Sequence, residues 1–234
     1  GDRASGQRSD DAWPKTTIDR FFIDKLAEVG LAPAPDASAH TLLRRLCFDL
    51  TGLPPTPEQI AWFKRADEKD ADAAVDRVVD RLLDSPQFGE HWGRHWLDVA
   101  RYAESTGREV NMTYPHAWRY RDYVIDSFNQ DKPYDEFVQE QLAGDLLPAK
   151  DDDEWSEHLF ATTFLAMGTK NVNELSAAQF AADVADEQID ATTRVFLGTS
   201  VACARCHDHK FDPIRQVDYY AMAGFFRSTK TYFG

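Results

Sequence analysis

The stretch Cys203-Ala204-Arg205-Cys206-His207 sets two thiols three positions apart with an imidazole directly behind them. Its meaning depends on the fold that carries it. In a βαβ unit a Cys-x-x-Cys pair is a redox dithiol, whereas with histidine added in a helical chain it is the pattern of a covalently attached c-type haem. In such a site the thiolates add across the two haem vinyl groups, and the helical turn brings the next imidazole under the iron. Three Cys and seven His in 234 residues would give this run by chance in roughly one such chain in a thousand. The periodicity of the surrounding residues therefore decides between the readings.

That periodicity is helical throughout. Ile18, Phe21, Phe22, Leu26 and Val29 fall on one stripe that ends at Gly30, and Leu42, Leu43, Leu46 and Leu50 form a second one ahead of Gly52-Leu53-Pro54-Pro55. Thr56, Pro57 and Gln59 form a helix start, and residues 58–66 and 71–83 continue the pattern, the latter with Val75, Val78, Val79, Leu82 and Leu83 inward. Ser85-Pro86 opens a helix running to about Glu104, and residues 118–128, 134–147, 155–167 and 175–197 keep three- and four-residue spacing. No alternation of period two is sustained. The prediction is an all-α fold, a single domain of about nine helices over residues 16–234 around a covalently bound haem, with residues 1–15 a polar tail that packs little.

Bulk properties narrow the function classes. A net charge of −14 excludes a phosphate backbone as partner, because nucleic acid has to be met by a basic surface. No apolar run approaches the eighteen residues that a membrane span needs. Cys47, alone in an apolar run, reads as a small buried hydrophobe. The chain starts without a charged and apolar leader, so an export signal is expected to have been removed or to lie upstream in a longer parent protein.

A haem iron held from below by His207 takes either a second protein ligand or an open position above it. Phe88, Trp92, Trp96, Val99 and Ala103 predict the inward stripe of their helix, and His95 lies within that stripe one turn after Trp92. His95 is therefore the first expected upper ligand, with a buried histidine satisfied by a carboxylate or carbonyl as the structural alternative. His91 falls on the polar side. Met167, at the end of a stripe of Leu159, Phe160, Thr163 and Phe164, is the second expected ligand, against gap-filling in the core. His209 lies too close to His207 to reach the opposite haem face, so its role is a hydrogen bond to a propionate or neighbouring backbone. Arg205 and Lys210 flank the motif and are placed to neutralise haem propionates or to stand at the surface. Asp183, Asp186, Glu187 and Asp190 read as a solvated acidic face with one salt pair to Arg194, in preference to a calcium site. A zinc knuckle would need a second Cys/His pair from a separate element, and the sequence offers none.

Several runs together resemble one family. Cys203-Ala-Arg-Cys-His-Asp-His-Lys-Phe-Asp-Pro-Ile214, Arg44-Arg45-Leu46, Asp49-Leu-Thr-Gly-Leu-Pro-Pro55, His95-Trp-Leu-Asp98, Ala100-Arg-Tyr-Ala-Glu-Ser105 and Tyr120-Arg-Asp-Tyr-Val-Ile125 are similar to the planctomycete-specific cytochrome-type domain. The resemblance spans about residues 18–226. It implies haem c on Cys203 and Cys206 with His207 as proximal ligand, inside a larger exported protein, and thus an extracytoplasmic setting in the periplasm or at the cell surface.

The function expected is an electron-transfer module, bis-His through His207 and His95 or His/Met through His207 and Met167. Its partners would be a redox protein with a basic face and the other domains of the parent chain. Two alternatives stand beside it: a peroxidase-like haem enzyme with an open upper position, and a structural or glycan-interaction domain in which haem is mainly structural.

Overall fold

Local capping chemistry sets the helix boundaries. In the computed structural model, which describes residues 14–232, Thr16 and Asp19 form a capping box that starts α1 (Thr17–Glu28). Ser38 caps α2 (Ala39–Thr51), which Gly52 ends in the left-handed conformation at φ 70°. Thr56 with Pro57 starts α3 (Pro57–Asp67), and Asp70 caps α4 (Ala71–Leu83). There follow α5 (Pro86–Val99), α6 (Trp118–Asn129), α7 (Tyr134–Ala143), α8 (Asp152–Ala161) and the single turn α9 (Thr163–Ala166). Ser176 caps α10 (Ala177–Thr192), and α11 (Gln216–Arg227) is the last helix of the described residues. Among the described residues the only β pairing is one bridge, Ser105 to Thr113. The all-α single-domain expectation holds.

Among the described residues the count is ten helices of ten residues or more plus the turn α9, where about nine were expected. The additional one is α11. Residues 155–167 form two segments because the chain turns at Thr162, and α5 stops at Val99, since Arg101 takes up φ 58° and turns the chain away. Of the tail expected over residues 1–15, residues 1–13 lie outside the described residues, and Lys15 pairs with Asp72 at 2.6 Å.

Four apolar clusters form among the described residues, and three of them follow one another along the chain. Leu43, Cys47, Phe63, Ala74, Val78 and Leu82 join α2, α3 and α4, and Cys47 is buried as expected. Tyr120, Tyr123, Val124, Phe137, Ala161 and Phe164 form the central core with Trp96 against it. The Trp96 ring meets Phe137 edge-on at 4.7 Å, and its Nε1 donates to the Tyr120 hydroxyl at 3.1 Å and to Gln141 Oε1 at 3.0 Å. Protein side chains thus close the interior at Trp96. The turn that carries Cys203 and Cys206 packs outside this core, on α10 and α11. The third cluster unites Ile189 of α10, Val201, Ala204, and Tyr219 and Ala223 of α11.

Two stripes behave differently from expectation. The face of α5 that packs on α6 is made by Gly89 and Gly93, not by Trp92 and Val99. A Cβ on Gly89 would stand 2.4 Å from the Ile125 carbonyl oxygen, so only glycine permits this approach. Trp92 is accordingly 39% exposed and Val99 49%. In α1 no residue is buried, and Phe21 is 69% exposed.

Candidate functional site

α10 leads into the motif through a wide π turn (Thr193–Leu197) and Gly198 at φ 64°, after which Val201–Arg205 wind as a 3₁₀ turn. Three residues per turn place i and i+3 on one side. Val201 and Ala204 therefore both point into the third cluster, and Cys203 and Cys206 both point out into solvent. His207 follows, also exposed. Its Nδ1 lies 2.8 Å from the Asp208 carbonyl oxygen. A carbonyl only accepts, so Nδ1 carries the proton and Nε2 keeps its lone pair, the tautomer that a ligating histidine adopts.

The turn is held from behind by charge. Arg205 donates to Asp183 and Asp186 of α10, each at 2.9 Å, and the Asp183 hydrogen bond is the first cause of a guanidinium affinity for its proton raised above the ordinary value. The Tyr219 hydroxyl donates to the other oxygen of Asp186 at 2.6 Å. Burial first, then that carboxylate, pushes the Tyr219 phenol up. The Arg205 carbonyl in turn accepts from Gln216 Nε2 at 3.1 Å and from the Tyr220 hydroxyl at 3.2 Å. Arg205 is thus engaged by α10 and not turned to the thiols.

His209 takes the backbone role. Its Nδ1 accepts from the amides of Phe211 at 3.3 Å and Asp212 at 2.9 Å, so Nε2 carries the proton and donates to Ser200 Oγ at 3.1 Å. This ties residues 208–214 back onto the start of the turn. The acidic stripe of α10 is correspondingly not a plain solvated face. Asp183 and Asp186 take Arg205, Asp190 takes Arg194 at 2.7 Å, and Glu187 takes Arg101.

The structure gathers Cys203, Cys206, His207, Arg205 and His209 on one element and leaves the two expected upper ligands elsewhere. His95 is exposed on α5, its ring 5.5 Å from Trp92 and 5.6 Å from His91. The inward orientation expected of it is corrected, because α5 turns its glycine face inward. α5 packs on α2, α4 and α6, whereas the motif turn packs on α10 and α11. Met167 is 3% exposed and enclosed by Tyr102, Tyr114 and Ala117.

Sequence reasoning missed Gln216, Tyr219 and Tyr220, which α11 supplies. The signal was present, since Tyr219, Met222, Ala223 and Phe226 keep helical spacing.

Among the described residues no three His, Cys, Asp or Glu side chains gather to hold a bare metal ion. A structural zinc site would take four such ligands. Outward thiols on one side of a 3₁₀ turn and an imidazole with Nε2 available fit a covalently attached macrocycle instead.

Fold and site together define an all-helical domain that presents a Cys-x-x-Cys-His turn on its surface. The chain belongs to the PSCyt2 family, described as a protein of unknown function (DUF1549), whose model matches residues 17–231. No curated protein and no solved structure matches it.

Proposed function

We propose that this chain is a c-type cytochrome domain that works as an electron-transfer module of a larger exported protein. One observation carries the reading: Cys203 and Cys206 leave the 3₁₀ turn on its solvent side, with His207 beside them in the tautomer that leaves Nε2 for a metal. Cys203 and Cys206 would hold the haem by thioether bonds and His207 would ligate its iron. Bound there, the haem supplies reversible one-electron exchange. The chain's own contribution is to fix the turn through Arg205, Asp183, Asp186 and Tyr219, and the following loop through His209. An exposed attachment turn keeps a redox partner's approach short. The net charge of −14 suits a partner with a basic docking face. Attachment outside the cytoplasm, in the periplasm or at the cell surface, is part of the proposal.

The test is expression in a host with haem-attachment machinery, followed by a denaturing gel stained for haem and an alkaline pyridine spectrum. Haem migrating with the wild-type chain, and lost from Cys203→Ala/Cys206→Ala, is the expected result. Haem lost on denaturation, or stoichiometric zinc in its place, overturns the reading.

A second reading, a haem enzyme with an open upper position, is favoured by the orientation of His95 and the enclosure of Met167. A high-spin ferric spectrum with reactivity toward peroxide would select it, and a low-spin spectrum would select electron transfer.

A further inference from the structure

α11 carries two apolar faces. Tyr219, Met222, Ala223 and Phe226 turn inward against Ile189, Val201 and Ala204. Val217, Ala221, Gly224 and Phe225 share a second helical face and stand in solvent, Val217 59% exposed and Phe225 73%. This face begins at the motif. Tyr220, at its edge, is 57% exposed, and its hydroxyl donates to the carbonyl of Arg205, the residue immediately before Cys206.

Gly224 on this face is the informative residue. A glycine inside a helix costs about 1 kcal/mol relative to alanine. Close protein packing explains Gly89, but a Cβ on Gly224 would meet nothing within 4 Å. No described protein group requires its small size. From Val217 to Gly224 the face runs two turns, about 10 Å along the axis. It is apolar, and through Tyr220 its edge touches the turn that carries the two outward thiols.

We propose that this face of α11, formed by Val217, Tyr220, Gly224 and Phe225, is the bed on which the porphyrin attached through Cys203 and Cys206 rests. The inference depends on the covalent-haem reading above. A group joined to the turn next to Tyr220 meets this surface at the high effective concentration of a tethered ligand, and the absent side chain of Gly224 lets a flat ring approach the backbone. The bed then covers one side of the haem, and the acidic body of the protein stays outside the contact.

The experiment compares haem-loaded wild type with Val217→Glu/Phe225→Glu and with Gly224→Leu, the covalent haem of each confirmed by intact mass. Both variants are expected to keep the covalent haem and to lose the visible circular dichroism that an asymmetric apolar contact induces. Their iron midpoint potential should shift downward, because the more exposed haem favours its oxidised, more charged form. The apo forms, made with Cys203→Ala/Cys206→Ala, should keep wild-type far-ultraviolet dichroism, since every substituted side chain points to solvent. Should the double substitution fail to fold, Gly224→Leu alone carries the test, as leucine is the better helix former. Loaded variants with wild-type dichroism and potential overturn the bed while leaving attachment intact. Wild type without covalent haem overturns the reading beneath it. A concentration-dependent apo dimer that the double substitution abolishes assigns the face to a second copy of the chain and overturns the bed as well.

Discussion

The core around Trp96 and the turn around Cys203 are built by opposite means. In the first, large rings fill the interior, and the polar atoms that enter it, Trp96 Nε1, the Tyr120 hydroxyl and Gln141 Oε1, satisfy one another at 2.6 to 3.1 Å. In the second, the apolar anchors include the small Val201, Ala204 and Ala223, and position comes from Arg205 spanning Asp183 and Asp186. Burial of one large side chain contributes about 1.5–3 kcal/mol, and ion pairs at half-exposed positions contribute about 1 kcal/mol or less. The aromatic core thus holds the fold together. The polar clamp holds a thinly buried turn in one orientation, with its thiols and imidazole outward.

Substitutions at the two regions should separate these roles. Phe164→Ala, at a fully buried ring of the central core, should lower stability by about 3–5 kcal/mol in urea unfolding. The apo form Cys203→Ala/Cys206→Ala should lose clearly less against loaded wild type in the same titration. An equal loss would break the comparison and put the haem back into the core.

The joint between the regions titrates. Beyond α5, Arg101 reaches Glu187 of α10, and Lys170 is buried beside them, donating to the carbonyls of Ala166 at 2.5 Å, Met167 at 3.1 Å and Gly168 at 3.3 Å. Burial is the main cause that lowers the Lys170 ammonium to about 8, with Glu187 opposing and Arg101 assisting. Burial likewise raises Glu187, against the pull of Arg101. An unfolded lysine titrates at about 10.4. Between about pH 8 and 10.4 the unfolded chain therefore binds the proton that the folded chain has released, and stability rises with pH in that window. Relative to Lys170→Met, wild type should gain on the order of 2 kcal/mol across it, read from urea midpoints at successive pH values. A flat difference would mean that Lys170 keeps its proton in the fold.

Arg205→Ala should cost about 1 kcal/mol in global stability, because its partners are part-exposed. Its effect on the yield of covalent haem should be larger than on the unfolding midpoint, since the turn loses its tie to α10. Yield and stability falling in proportion would make Arg205 an ordinary surface pair. The smallest effect is expected at His95. On the exposed face of α5, His95→Ala should stay within about 0.5 kcal/mol of wild type and leave the spin state of the loaded protein unchanged. A change from low to high spin would restore His95 as an iron ligand.

The α2–α4 cluster was legible in outline, because Leu43, Val78 and Leu82 repeat at helical spacing, although Leu83, expected inward with them, is 40% exposed. α5 was legible only as a helix. Its contact face is built on Gly89 and Gly93 beside Trp96, and glycine adds nothing to an apolar count, so Trp92 on the other side drew the assignment and took His95 with it. α1 shows the same limit from the other direction, with a regular stripe that none of the described residues bury. At the site, Cys203, Cys206 and His207 were legible from spacing alone. The clamp behind them was not, because Arg205 lies 19 and 22 residues along the chain from the carboxylates it joins.

The sequence by itself determined that the chain is helical, where most helices begin and end, and which three residues form the motif. Those features rest on interactions within a few positions of the chain: caps, breakers and a turn of three residues. The tertiary structure alone decided which face of a two-faced helix is inward, that Trp96 is closed in by side chains, and that the motif's thiols stand in solvent. Periodicity says which residues share a face. Which face is buried depends on what the other helices can approach, and that approach is set at α5 by two absent side chains and at the motif by a cation between two carboxylates.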